Sequence, residues 1–156
     1  MKQMRMQTVG PLALAAIGLA ALAGCTSVPK PPTAVELLTA AKTCKAELPR
    51  FGYFDWMYYP PKGTMAVGND GGWCWVDATF TQFGTLSLYD RSIPVPAKLT
   101  LTTAPHGGEV MLGYAGDGVR IAYRPNPGFS GPDEFHVYAD EVYHQFDIPM
   151  RVTVSP

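Results

Sequence analysis

The chain has 156 residues, with twelve basic and thirteen acidic side chains, a formal charge of −1, and 16% charged against 47% hydrophobic residues. That balance excludes a disordered polyelectrolyte, and no basic cluster or stripe supplies the electrostatic footprint that nucleic-acid binding needs. The length suffices for one domain with a real core and little else.

Met1–Gly10 carries Lys2 and Arg5 and no acid, and Pro11–Leu22 (PLALAAIGLAAL) is apolar but short for a bilayer span. A basic start, a short apolar run and small residues at its end make a secretory signal. The run closes in Leu22-Ala23-Gly24-Cys25. This stretch resembles the lipobox of bacterial lipoproteins. The resemblance implies removal of residues 1–24, a diacylglycerol on the Cys25 sulfur and acylation of its new amine by a chain such as palmitate. Ala21-Leu22-Ala23 also fits ordinary signal peptidase, which would release a soluble protein. The cysteine count favours lipid. Cys25, Cys44 and Cys74 are odd in number, and lipidating Cys25 leaves Cys44 and Cys74 as one pair. Two or three acyl chains anchor durably where one does not. Thr26, rather than an aspartate, follows the cysteine, which for such lipoproteins implies an outer-membrane address.

Cleavage before Cys25 leaves 132 residues with ten basic and thirteen acidic side chains, a charge of −3, and no second long apolar run. Residues 25–32 are then the acylated cysteine and a proline-rich tether (TSVPKPP), extended and semi-rigid. Over 33–50 the pattern is helical. Thr33 is placed as an N-cap, and Glu36 three residues later completes a capping box. Val35, Leu37, Leu38, Ala41, Cys44, Ala46 and Leu48 follow at helical spacing, and Pro49 marks the stop. The spacing predicts one amphipathic helix docked on the following domain.

From Phe51 the pattern changes to strands and turns, predicting an all-β domain over 51–156. Cys74, Val76, Ala78 and Phe80 alternate with Trp75, Asp77, Thr79 and Thr81; Leu99, Leu101 and Thr103 alternate with Lys98, Thr100 and Thr102. Val119, Ile121 and Tyr123 alternate with Arg120, Ala122 and Arg124, and Phe146 to Val154 repeats the pattern. Period-two alternation turns one face to a core and the other to water. Short strands at regular spacing with punctuating turns indicate a sandwich or barrel.

The stretch "LTTAPHGGEVML … GDGVRIAYRPNPGFSGPDEFHVYAD … FDIPMRVTV" resembles the bacterial Ig-like or cadherin-like repeat over roughly Ala97–Val154. The resemblance implies an Ig-like antiparallel β-sandwich; a helix and a cysteine pair, expected in residues 33–96, are not usual parts of it. Gly118 in the Gly116-Asp117-Gly118 turn tolerates positive φ, so Met111–Gly113 and Val119–Tyr123 can pair as a hairpin. Tyr123 ends a strand, and Pro125 and Pro127 interrupt its ladder. Pro127-Gly128 suits a type II turn. Phe129 folds back as an apolar plug and Gly131 permits a second bend. Asp133 accepts backbone N–H groups at the start of a strand Glu134–Ala139 containing Phe135. With His106 and Gly107 in the PHG turn, these residues read as a crossover corner between sheets rather than a ligand loop.

In an oxidising envelope Cys44 and Cys74 are expected to form a disulfide that staples helix to sheet, worth roughly 3 kcal/mol for its loop length. Trp56, Tyr58, Tyr59 and Trp75 are candidates for an aromatic binding patch. His106, His136 and His144 would have to converge to hold zinc, and nothing in their spacing forces it. The acids Asp133-Glu134 and Asp140-Glu141 lack the closely spaced run of a calcium loop. No nucleophile elbow, zinc helix or phosphate loop occurs. The expectation is a non-catalytic envelope lipoprotein without metal or cofactor, which holds its domain near the membrane to bind another envelope protein or a glycan. The rivals are a small periplasmic hydrolase or metal-dependent enzyme, and a purely structural assembly subunit.

Overall fold

The computed structural model describes residues 30–48, 62–82, 93–141 and 145–156. Cys25, Trp56, Tyr58, Tyr59 and His144 lie outside them, as do the signal and most of the tether. The chain divides into two units, Met1–Lys30 and Pro31–Pro156; the second carries the fold.

Among the described residues, one 3-10 turn, Ala34–Leu37, is followed by ten strands: β1 Cys44–Glu47, β2 Gly63–Gly68, β3 Cys74–Ala78, β4 Phe80–Gln82, β5 Ile93–Val95, β6 Ala97–Thr103, β7 Gly108–Ala115, β8 Gly118–Pro125, β9 Gly131–Glu141 and β10 Gln145–Ser155. Two sheets dominate, β1-β2-β10-β9-β6 and β3-β8-β7, with β4-β5 as a two-stranded ribbon. The five-stranded sheet is not purely antiparallel, because β10 runs parallel to β2.

Alternation explains how the sheets meet. On β10, Phe146, Ile148, Met150, Val152 and Val154 are buried, while Gln145, Asp147, Arg151 and Thr153 are exposed. Phe135, Val137 and Ala139 on β9 and Val119, Ile121 and Tyr123 on β8 join the same cluster. Tyr123 stacks on Phe135 at 5.9 Å between ring centroids, so a side chain from each sheet meets in one interior. The result is a sandwich-like all-β fold. Removing this apolar surface from water is its main stabilising contribution. On the edge strand β6 the expected inner face holds only in part: Leu99 packs against the core, while Leu101, beside a register shift, is 36% exposed and Thr103 is exposed as well.

The helix expected over 33–50 does not form in the described residues. Thr33 and Glu36 do pair, with the Thr33 N–H donating to the Glu36 carboxylate at 2.6 Å, but they cap a single 3-10 turn. Beyond it the chain extends: Thr39 and Ala41 bond to Trp73, and Cys44–Glu47 pairs antiparallel with β2. The apolar spacing suited a helix, but strand partners satisfy the backbone here, and a short isolated helix gains little by comparison. The disulfide between Cys44 and Cys74 is present, with Cα atoms 5.1 Å apart. It joins strand to strand, β1 to β3, and therefore one sheet to the other.

Candidate functional site

The crossover from β8 to β9 carries the chain from the three-stranded to the five-stranded sheet. Asn126, Pro127, Gly128 and Phe129 form its first turn, closed by the Phe129 N–H on the Asn126 carbonyl at 3.0 Å. Gly128 has φ +80°, as the third position of a type II turn requires, and Gly131 follows at +112°. Pro125 still lies on β8, opposite Gly108. Phe129 packs against the core, and its ring lies where a side chain at Gly107 would sit, 2.3 Å from an added Cβ. Asn69 donates from its side-chain amide to the carbonyls of Asn126 and Phe129, tying the β2–β3 turn to the corner.

Asp133 is the hub of the corner. One carboxylate oxygen accepts the backbone N–H of His106 at 2.9 Å and of Glu134 at 3.0 Å. The other accepts the Gly107 N–H and the Tyr123 hydroxyl, both at 2.9 Å. Burial pushes the Asp133 pKa up, but the backbone donors at His106 and Gly107, the Tyr123 hydroxyl and the Glu134 N–H outweigh it, and the group stays below the usual carboxylate range. Burial first, then the bond to Asp133, drives the Tyr123 phenol up. His106 therefore participates through its backbone. These groups occupy one another, which makes the corner a brace.

The hairpin from β7 to β8 differs from expectation in one glycine. Its two-residue loop is Gly116-Asp117, and positive φ falls on Gly116 at +55°. Gly118 is needed for space instead, since an added Cβ would lie 2.5 Å from the Ala78 carbonyl oxygen.

Residues 33–41 form a strap: Val35 lies over the three-stranded sheet at Gly113, and residues 39–41 run beside Trp73 with Ala41 in the core. Val35 is 2% exposed and its methyl groups abut Gly113. Thr33 donates its hydroxyl to the Tyr114 carbonyl, and Glu36 accepts the Gly116 N–H. Arg120 on β8 donates to the Val35 carbonyl at 2.9 Å, forms two bonds with Asp77 on β3, and lies over the Trp75 ring at 4.5 Å. The bond to Asp77 is the main cause that raises the Arg120 pKa. One level along, Arg124 pairs with Glu109 and lies 4.8 Å over Trp73. Trp75, the one proposed patch residue described, thus carries a cation on its ring.

His136 lies half-buried on β9 between two acids. Nδ1 is 2.9 Å from Asp147 and Nε2 is 3.3 Å from Glu134, and Glu134 also meets Arg151 at 3.4 Å. The bond to Asp147 leads in raising the His136 pKa above its ordinary value, despite some desolvation, with Glu134 adding to it. Both ring nitrogens face carboxylates, which favours the doubly protonated ring. Among the described residues no group of three or more His, Cys, Asp or Glu is placed to hold a metal ion.

The chain matches no protein-family model, and comparison with curated proteins finds no match. Sequence reasoning located Asp133, Phe129 and Gly128. It missed Arg120, Asp77 and Asn69, which carry long-range bonds. Asn69 stands in a turn-forming run, but Arg120 and Asp77 carried only the signal of an alternating outer face.

Proposed function

We propose that this protein is a non-catalytic lipoprotein of the bacterial cell envelope, acylated at Cys25, with an Ig-like domain that binds another envelope protein. The observation that carries the reading is the Cys44–Cys74 disulfide. It fits an oxidising compartment outside the cytoplasm, and it uses two of the three cysteines, leaving Cys25 at the end of its lipobox-like stretch. The crossover from β8 to β9 between sheets, and the parallel β2–β10 pair, accord with an Ig-like arrangement. The outer-membrane address rests on Thr26. A protein partner is favoured over a glycan because one face of the Trp75 ring, a surface that stacking on a sugar would use, is covered by Arg120.

Mass spectrometry of the mature amino terminus tests the anchor: a diacylglyceryl-modified Cys25 is expected, and an unmodified start at Gly24 would count against it. Crosslinking in intact cells tests the partner. Recovery of one envelope protein in stoichiometric yield is expected; repeated recovery of none would remove the binding claim.

A further inference from the structure

A strand at the rim of a sheet turns the N–H and C=O of every second residue away from its neighbour, and folded proteins guard such rims by making them short, charged or covered. Three of the four rims of the two main sheets are short or partly covered. β1 has four residues and carries Lys45 and Glu47. The strap bonds to Trp73 at the head of β3, and its Thr33 hydroxyl donates to the Tyr114 carbonyl on β7. β6 is different. It ends the five-stranded sheet, pairs only with β9 among the described residues, and runs for seven residues with Lys98 as its one charge.

Its two faces are distinct. Leu99 and Leu101 pair with Ala139 and Val137, both buried, so the two leucines stand on the inner face of the sheet. Cover runs out along that face: Ala97 is 2% exposed, Leu99 half-buried and Leu101 36% exposed. Lys98 and Thr100 alternate with them and are exposed. The register shift against β9 comes only after Leu101.

We infer that β6 is where two copies of this chain join, antiparallel, about a two-fold axis at Thr100. In that register the strand is complementary to itself. Leu99 of each copy lies beside Leu101 of the other on the inner face, which covers the exposed leucine. Thr100 meets Thr100, a favourable cross-strand pair, and Lys98 faces the neutral Thr102 of the other copy, so no like charges meet. A two-fold contact uses the same rim on both copies and closes at two. A single strand pair buries less than the about 1,200 Å² of a standard interface, so the dimer is weak and forms as concentration rises.

Sedimentation equilibrium of the full processed protein tests this, in detergent matched to the solvent density so that acylated and unmodified chains are measured alike. The parent is expected to pass from monomer to dimer between micromolar and millimolar concentration. Thr100→Lys sets like charges directly opposite, and Leu101→Lys removes the covered leucine from both copies; each should weaken the dimer severalfold. Thr153→Lys, at an exposed position on β10, should leave it unchanged. A parent that stays monomeric over that range would overturn the dimer and leave the anchor and the envelope partner standing. A dimer that neither β6 variant weakens, or that Thr153→Lys weakens as much, would put the contact on another surface and overturn it too. Near-ultraviolet circular dichroism matching the parent checks that each variant is folded.

Discussion

The Tyr123 hydroxyl donates to the Asp133 carboxylate at 2.9 Å, linking a strand of the three-stranded sheet to one of the five-stranded sheet. The same carboxylate holds the His106–Gly107 turn, so one buried acid braces two strands and a loop.

Asp133→Ala would strand the backbone donors of His106 and Gly107 and the Tyr123 hydroxyl. Each buried unsatisfied group costs about 1–3 kcal/mol, so a loss of about 3 kcal/mol or more is expected in urea unfolding. Tyr123→Phe keeps the stack on Phe135 and loses one bond to a charged acceptor, about 1.5–3 kcal/mol. The double variant should cost less than the sum of the two, because both remove the same bond.

Acid should weaken the corner. The folded Asp133 pKa lies below its unfolded value, so its contribution is present above about pH 4 and is lost as pH falls through the folded pKa. Tyr123→Phe removes one of the donors that lower it and should move the acid-unfolding midpoint to higher pH.

His136 should act in the opposite sense. Its folded pKa is raised, so its contribution is fully present below about pH 6.5 and disappears as pH rises through the folded value. His136→Gln should flatten the dependence of the urea midpoint on pH across that window. An imidazole that titrates by NMR at or below its ordinary value would contradict the paired geometry.

Cys44→Ser with Cys74→Ser should destabilise by roughly 3 kcal/mol on the chain-entropy account, given a sequence separation of 30. Reducing agent should lower the melting temperature of the parent and leave that of the double variant unchanged.

Gly72→Ala should cost about 1–3 kcal/mol by overpacking. The added Cβ would lie 2.3 Å from the Ala41 Cα, and Ala41 is fixed by its N–H bond to the Trp73 carbonyl. Arg120→Met should loosen the strap, seen as faster amide exchange over residues 33–41 with little change in β9 and β10.

Period-two alternation on β9 and β10 was readable because a buried face imposes it residue by residue, whereas on β8 Ala122, opposite in facing to Ile121 and Tyr123, is buried as well; the Pro127-Gly128 turn and the Gly131 bend were readable because backbone angles are local properties. The cysteine pairing followed from counting. Residues 33–48 were different. Their apolar spacing fits a helix, and the choice of a strap with a short strand lay with partners far along the chain: Tyr114, Gly116, Arg120, Trp73 and β2. Likewise the positive φ falls on Gly116, not Gly118, because the Ala115–Gly118 pair closes the hairpin and leaves Gly116-Asp117 as its loop. Local pattern records which side chains avoid water. Which backbone satisfies which is settled only when the sheets close, because those bonds join residues with no relation in sequence.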